Sequence, residues 1–367
     1  MKSSTRNLGI DLLRIFSMLG VVFLHILGHG GILNLNHTSI NFSIVWFFEI
    51  FAYPAVNCFV LISGYVGYKA DNISLKIKNI ISLMLTVAFY SISIFLIFTF
   101  SGIVPFGLKG LIKSLFPTLL KSYWFFSAYF GLFLLSPLLN LLVQKLSLRH
   151  TFTFLSVFLF FSIISTVYDT FSFMGGYSLV WFVFIYLIGA IIKKFKFNEL
   201  FSKKWWLIIA LVSFIITWFS KLVLQFSSIS FLENHSSLLI KYVSPTIVLT
   251  AIALLCLFSK INCSHSFAKP ISFFASSAFS VYLIHDNNYI RNYLISKLYT
   301  FIENFNFISL TLFIIFSVLA IFVICILIDK IRIFIFKIVN VEKISTQIEK
   351  IIRKIINTAY LLLAKIE

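Results

Sequence analysis

The sequence predicts an all-α integral membrane protein, and three observations support this fold class. The chain has 367 residues, of which 60% are hydrophobic and only 11% are charged, whereas a typical soluble domain has about 25% charged residues. Its mean hydropathy is +1.01. The hydrophobic residues fall into about ten runs, most of them close to the length that a helix needs to cross a bilayer. The sequence therefore predicts a bundle of about ten transmembrane helices.

The predicted spans follow one another from near the N-terminus to about residue 328. The sixth is short, and the second contains Pro54, which should kink the helix because proline cannot donate a backbone hydrogen bond. The spans are 8–27, 44–67, 80–101, 123–143, 151–168, 178–192, 205–226, 240–259, 271–290 and 307–328.

The distribution of basic residues predicts the orientation of the bundle. With a cytoplasmic N-terminus, 22 of the 30 Lys and Arg residues lie in cytoplasmic segments and 7 in external ones. This bias follows the positive-inside rule and places both termini in the cytoplasm. We therefore interpret the net charge of +18 as a topology signal and an attraction to anionic lipid, and we expect no nucleic-acid partner.

Two regions can be separated along the chain. Residues 1–339 form the predicted transmembrane domain, whose first apolar run lacks a small-residue cleavage site and is expected to remain as an anchor. Residues 340–367 form a basic tail, which we predict to be an amphipathic helix lying on the cytoplasmic leaflet. Its isoleucines recur at helical spacing between Lys and Arg residues: Ile344, Ile348, Ile351, Ile352 and Ile355.

The longest predicted external loops are candidates for acceptor binding. They cover about residues 28–43, 102–122 and 227–239. Lys109, Lys113 and Lys121 make the second loop basic, which would suit an anionic acceptor. A solvated loop without a ligand is the alternative interpretation.

Arg14 and His25 are the most informative pair, because both lie on the first apolar helix. Eleven positions at about 100° each return to within about 20° of the start, so both side chains occupy one stripe, about 16 Å apart. Arginine keeps its charge in a protein and histidine exchanges a proton near neutral pH. A purely structural interpretation is that Arg14 reaches the interface beside Asp11 and that His25 is a hydrogen-bonded core histidine.

Other ionisable residues are predicted at the outer level of His25. Glu49 lies near the external start of the second span, and the segment Ser280-Val-Tyr-Leu-Ile-His285-Asp286 lies near the end of the ninth, with Arg291 following. A carboxylate there could orient a histidine or bind a sugar hydroxyl, or could simply end a helix. His25 and His29 have the i, i+4 spacing of metal ligands but lack the Glu of a HExxH motif, so we expect no metal.

At these residues the chain resembles the membrane-bound acyltransferase family 3, whose signature is Arg, ten residues and His on the first span. The similar segments are spread over about residues 6–330. They include Gly9-Ile-Asp-Leu-Leu-Arg14, Ala55-Val-Asn-Cys-Phe-Val-Leu-Ile-Ser-Gly-Tyr65, Trp124-Phe-Phe-Ser-Ala-Tyr-Phe-Gly-Leu-Phe-Leu-Leu-Ser-Pro137 and Val281-Tyr-Leu-Ile-His285. The resemblance implies a bacterial plasma-membrane enzyme that moves an acyl group, most often acetyl from acetyl-CoA, to a surface carbohydrate.

The resemblance also implies roles for individual residues. His25 would be the general base, or an acyl carrier, and Asp286 or Glu49 would orient it or the sugar. Arg14, Lys76 and Lys78 would hold the CoA phosphates. Many members have an arginine-rich motif where this chain has Ser74-Leu-Lys-Ile-Lys78.

The sequence does not identify the acceptor glycan. Capsule, exopolysaccharide, teichoic acid and peptidoglycan are all compatible with the sequence. The alternative from another class is a transporter or flippase of a lipid-linked saccharide, which would also need buried charges and about ten spans.

Overall fold

The computed structural model describes residues 7–34, 39–69, 75–299 and 301–363, and this part of the chain is helical without a strand. Part of the predicted loop 28–43 lies outside the described residues, as do residues 1–6, residues 70–74 with Ser74, residue 300 and residues 364–367. Short 3₁₀ turns lie at Ile32–Asn34, Met174–Gly176, Phe197–Glu199, His265–Phe267 and Ile302–Asn304, and a π-helical turn at Arg291–Ile295. The helices are α1 (Leu8–His29), α2 (Ser39–Ala52), α3 (Ala55–Gly67), α4 (Ile77–Phe100), α5 (Leu108–Leu115), α6 (Trp124–Lys145), α7 (Leu148–Val167), α8 (Leu179–Phe195), α9 (Lys203–Gln225), α10 (Ser230–Asn234), α11 (Pro245–Ser259), α12 (Ala268–His285), α13 (Asn288–Ile290), α14 (Ser296–Leu298), α15 (Phe307–Ile338) and α16 (Val341–Leu363).

Seven segments among the described residues are long and apolar enough to cross a membrane, so the protein is a multi-pass membrane protein. Every predicted span overlaps a helix, but α8, α11 and α12 do not reach the same length and hydropathy. The count of about ten crossings therefore stays a prediction. The seven segments are Leu8–His29, Ile40–Gly67, Ile77–Phe100, Trp124–Lys145, Leu148–Val167, Lys203–Gln225 and Phe307–Ile338.

The second predicted span, 44–67, is broken as expected at its proline. Helix α2 ends at Ala52 and α3 begins at Ala55, with Pro54 at the α3 N-cap. Proline cannot continue the hydrogen-bond ladder of the preceding helix, but its carbonyl accepts from the Cys58 amide at 2.9 Å. The break allows α2 and α3 to pack against different neighbours.

Several predicted boundaries were wrong, and two of them have a clear structural cause. Helix α15 continues ten residues beyond 328, because Asp329 is buried and paired inside the bundle: its Oδ1 accepts from the Tyr90 hydroxyl at 2.7 Å and from Arg332 Nε at 2.8 Å. Helix α12 ends at His285 and not at 290, since Asn287 caps a new turn by accepting from the Tyr289 amide.

Helix α1 lies at the centre of the bundle and contacts α2, α3, α11, α12 and α15. Helices α3 and α8 touch backbone to backbone at two glycines. A Cβ on Gly64 would lie 2.0 Å from the Tyr186 carbonyl oxygen, and one on Gly189 would lie 2.2 Å from that of Leu61. Small residues at a helix crossing allow this approach. The close contact fixes α3 against α8.

The end of α12 is fixed to the start of α6 by Tyr123. The buried Tyr123 hydroxyl donates to the Leu283 carbonyl at 2.9 Å and accepts from Asn287 Nδ2 at 2.8 Å. Because both hydrogen bonds are buried, they strongly define where α12 ends. The residues at the end of α12, His285 and Asp286, are thereby held against α1.

Helix α16 follows α15 and packs on the beginning of α4. Ile348 and Ile352 contact a small cluster formed by Ile77, Ile80 and Ile81. Arg353 Nη2 donates to the Leu75 carbonyl at 3.1 Å. The helix therefore belongs to the folded unit, and its place on the cytoplasmic leaflet stays a prediction.

Candidate active site

Arg14 and His25 lie on one helix, α1, whose first turn is capped by the Asn7 side chain accepting from the Ile10 amide. Arg14 forms a hydrogen-bonded ion pair with Asp11, one turn earlier. The Asp11 side chain is fully buried, whereas Arg14 is 32% exposed. The guanidinium is therefore partly accessible from the cavity that it lines, although it also bonds to Asp11.

His25 faces a cavity of about 350 Å³, here called the histidine cavity. This volume lies within the range of about 300–1,000 Å³ typical of small-molecule sites. The histidine and charged side chains lining the cavity are His25, His29, Glu49, Asp286 and Arg291. The structure thus brings together all three residues that the sequence analysis proposed as catalytic, although they come from α1, α2 and the end of α12.

The closest partner of His25 is His285, at 2.8 Å between His25 Nδ1 and His285 Nε2. The other ring nitrogen of His285, Nδ1, lies 2.6 Å from the Val281 carbonyl oxygen. A carbonyl only accepts, so His285 Nδ1 carries a proton, and in the neutral ring Nε2 is then an acceptor. His25 Nδ1 must donate to it. This assignment leaves His25 Nε2 with a lone pair, as a proton acceptor needs.

Asp286 lies close to three other ionisable side chains of the histidine cavity. Its Oδ1 lies 3.6 Å from His25 Nδ1, 3.5 Å from His29 Nε2 and 3.6 Å from Arg291 Nη1. Asp286 is 3% exposed. A carboxylate so placed balances the positive charge that His25 acquires when it takes a proton.

His25, His29 and Asp286 also form a cluster with the donor set of a metal site. One ligand atom from each lies within 4.8 Å of the others. Two features of the same cluster oppose a bound cation: the Arg291 guanidinium is beside Asp286, and His25 Nδ1 is engaged by His285. The expectation that the protein needs no metal stays a prediction.

Glu49 lies on the side of the histidine cavity formed by aromatic rings. It is 7% exposed, and its Oε2 is buried without a hydrogen-bond partner among the described residues. The rings of Tyr53 and Tyr242 lie 4.8 Å apart, and those of Trp124 and Tyr177 lie 4.6 Å apart. A buried carboxylate oxygen beside aromatic rings is a suitable surface for a sugar, which presents both hydroxyls and apolar C–H faces.

A second cavity of about 200 Å³, here called the arginine cavity, lies at the other end of the same α1 stripe. Its basic residues are Arg14, Lys69 and Lys76, and Ser63, Asn79 and Asn140 add polar groups. Arg14 and Lys76 are therefore together, as predicted for a site that holds phosphates.

The structure separates Lys78 from this pair. Lys78 Nζ donates to Glu342 Oε1 of α16 at 2.6 Å and lines a different cavity, between α4 and α16. Lys76 precedes α4 as its N-cap residue with a non-helical backbone, whereas Lys78 lies in the first turn of the helix, so the two side chains leave the backbone in different directions. The phosphate-binding role proposed for Lys78 remains untested.

The histidine and arginine cavities share three lining helices, α1, α3 and α6. Phe59 and Phe125 line the histidine cavity, and Tyr129 lines the arginine cavity. The rings of Phe125 and Tyr129 stack at 6.0 Å, and the Ser63 hydroxyl lies 3.3 Å from that of Tyr129. We call these three rings the aromatic partition.

Sequence reasoning placed His285 at the correct level but did not assign it to the site. The available signal was the sequence His285-Asp286 at the end of an apolar helix, in which two adjacent ionisable residues face the same bundle. Only the packing of α12 on α1 reveals that His285 contacts His25, across 260 positions.

The helices and these two cavities define a membrane protein with a buried acid–base site. The family model described as an acyltransferase domain, that of acyltransferase family 3, matches residues 7–330, and the chain belongs to this family. The protein is thus a membrane acyltransferase, which favours the enzyme over the transporter alternative. Searches of curated proteins and of solved structures each gave no match.

Proposed function

We propose that the enzyme transfers an acetyl group from acetyl-CoA to a hydroxyl of a cell-surface or lipid-linked glycan, with His25 as general base. The observation that carries the proposal is the chain from the Val281 carbonyl through His285 to His25 Nδ1, which leaves the His25 Nε2 lone pair available in a cavity. General bases need this protonation state and direct access to the reacting hydroxyl.

In the proposed reaction the acceptor oxygen attacks the thioester carbonyl carbon while its proton moves to His25 Nε2. The new C–O bond and the oxyanion form together. When the intermediate collapses, the C–S bond breaks, and the CoA sulfur leaves with the proton returned by His25. Asp286, 3.6 Å from His25 Nδ1, would stabilise the imidazolium between these steps.

The donor would approach from the arginine end. Arg14 and Lys76 line one cavity there, and a guanidinium binds phosphate oxygens through two parallel hydrogen bonds. The thioester would have to pass the aromatic partition to reach His25, about 16 Å along α1 from Arg14. An acyl-histidine intermediate on Nε2 is the second route, because the same lone pair can attack the thioester directly.

The proposed setting is a bacterial plasma membrane, crossed about ten times, with both termini in the cytoplasm. In this orientation α16 lies on the inner leaflet, where its Lys and Arg residues would contact anionic lipid. Isoleucine and leucine side chains of α16 stay exposed and would face the acyl chains: Ile351, Ile355, Ile356, Leu361 and Leu362.

The test measures transfer of radiolabelled acetyl from acetyl-CoA to oligosaccharides by the purified protein in nanodiscs. His25→Ala should lower the rate by about 10²–10⁴-fold, the usual contribution of a general base. His150→Ala is the matched control, because His150 is exposed at the start of α7 and lines neither the histidine cavity nor the arginine cavity. Full activity of the His25→Ala enzyme would contradict the proposed base, and labelled His25 after acid quenching would favour the acyl-histidine route.

A further inference from the structure

A third cavity, of about 410 Å³, adjoins the histidine cavity at the end of α12. Parts of α4, α5 and the turn before α6 form one side, and the turn after α12 forms the other. Three asparagines on that turn give the cavity its character, so we call it the asparagine cavity. Its polar lining residues include Ser122, Tyr123, Asn287, Asn288 and Asn292.

Arg291 connects the two cavities, because it lines both. Its Nη2 donates to Asn288 Oδ1 at 2.8 Å, within the asparagine cavity, and its Nη1 lies 3.6 Å from Asp286 Oδ1, within the histidine cavity. Arg291 would therefore lie between a molecule in the asparagine cavity and Asp286, which is beside His25.

The charge in the asparagine cavity is one-sided. Lys113 of α5 and Arg291 are its ionic side chains, and no carboxylate of the described residues lines it. Asp286, the carboxylate nearest to Arg291, lines the histidine cavity instead. Two cations beside a polar surface attract an anion. Because Arg291 is shared with Asp286 and donates to Asn288, Lys113 supplies the main point charge for that anion.

We propose that the asparagine cavity binds the part of the acceptor next to the sugar that is acylated, and that this part carries an anionic group, a phosphate or a carboxylate. Amide and hydroxyl side chains both donate and accept, as the hydroxyls of a saccharide require. Lys113 then selects anionic over neutral acceptors. This inference rests on the proposed acyl transfer to a glycan and adds the chemical class of its acceptor.

The experiment compares two synthetic acceptors, one disaccharide as a glycosyl phosphodiester and the same disaccharide as a neutral methyl glycoside. Acetyl transfer is measured in nanodiscs of zwitterionic lipid. The wild-type enzyme should prefer the phosphodiester, by a lower KM that rises with salt. Lys113→Gln should reduce that preference about three- to fivefold, the upper range for a partly exposed ion pair, and should weaken its salt dependence.

Lys297→Gln is the matched control, because it removes the same charge from an exposed position on the same predicted external side, and Lys297 does not line the cavity. It should keep the wild-type preference. Equal effects of the two variants would mean a diffuse attraction and would overturn the assignment, as would equal KM values of the two acceptors for the wild-type enzyme.

Two further outcomes identify other occupants. If Lys113→Gln raised the KM for acetyl-CoA, the cavity would serve the donor phosphates. If anionic lipid inhibited the wild-type enzyme and Lys113→Gln relieved that inhibition, a lipid headgroup would occupy it. Either result contradicts the inference while acyl transfer itself continues. Failure to acylate any saccharide, by contrast, would refute the proposed function.

Discussion

His25 and His285 share a hydrogen bond of 2.8 Å, and the direction of that bond is set by a backbone carbonyl that only accepts. The carbonyl belongs to Val281, one turn before His285 on α12. The protonation of His25 is therefore determined by the helix that packs against it. In serine hydrolases a carboxylate fixes a histidine tautomer in the same manner.

Replacement of His285 tests this arrangement. His285→Leu removes the acceptor of His25 Nδ1–H, so His25 can carry its proton on Nε2 instead, where it blocks the base. We expect kcat to fall about ten- to hundredfold with little change in the KM of either substrate. His285→Gln, whose amide oxygen can accept the same hydrogen bond, should restore part of the rate. Equal loss in both variants would indicate a packing role for His285.

Arg14 is predicted to bind the donor through its planar guanidinium. Arg14→Lys keeps the charge but removes the parallel pair of hydrogen bonds, so the KM for acetyl-CoA should rise about tenfold. Arg149→Lys, on an exposed residue of α7, is the matched control. Because Arg14 also pairs with the buried Asp11, the melting temperature of each variant should be measured in parallel. An unchanged donor KM in a folded Arg14→Lys enzyme would exclude the phosphate contact.

Glu49 is predicted to accept a hydrogen bond from the acceptor sugar, because its Oε2 is buried in the cavity without a partner among the described residues. Glu49→Gln preserves the shape but can exchange that oxygen for an NH₂ group. The KM for the saccharide should rise about tenfold, and the KM for acetyl-CoA should not change. Glu199→Gln, at an exposed position in the turn Phe197–Glu199, provides the control. A loss confined to kcat would instead place Glu49 at the reacting atoms.

The ion pair of Lys78 and Glu342 is expected to hold α16 on α4. Hydrogen exchange of the α16 amides should accelerate in Lys78→Glu and in Glu342→Lys, and the double exchange of charges should restore protection. A donor role for Lys78 would show separately, as a raised KM for acetyl-CoA in Lys78→Gln but not in Glu342→Gln.

The same pair predicts a pH dependence. The hydrogen bond from Lys78 holds the pKa of the Glu342 carboxyl below its ordinary value of 4.5. A lowered folded-state pKa means that the pair stabilises the docked helix above that ordinary value and is lost as the pH falls through the lowered pKa. Protection of α16 should therefore be constant near neutral pH and decrease below about pH 4.5. The same decrease in Glu342→Gln would assign it to another group.

The sequence by itself determined the class of fold and the central helix of the site. Hydrophobic run length and the positions of Lys and Arg follow from the bilayer, which acts on each segment independently of its neighbours. The stripe of Arg14 and His25 was predictable for the same reason, since helical periodicity is local. Helix ends that depend on burial were not predictable, as Asp329 inside α15 demonstrates.

Only the tertiary structure decided which residues meet. The contact of His25 with His285, the pairing of Lys78 with Glu342 and the position of Arg291 between two cavities join residues far apart in the chain. Such contacts depend on which faces of the helices pack together, and packing is set by the shapes of many side chains at once, such as the glycines between α3 and α8. The pattern of residues along one chain does not show directly which helix faces pack together.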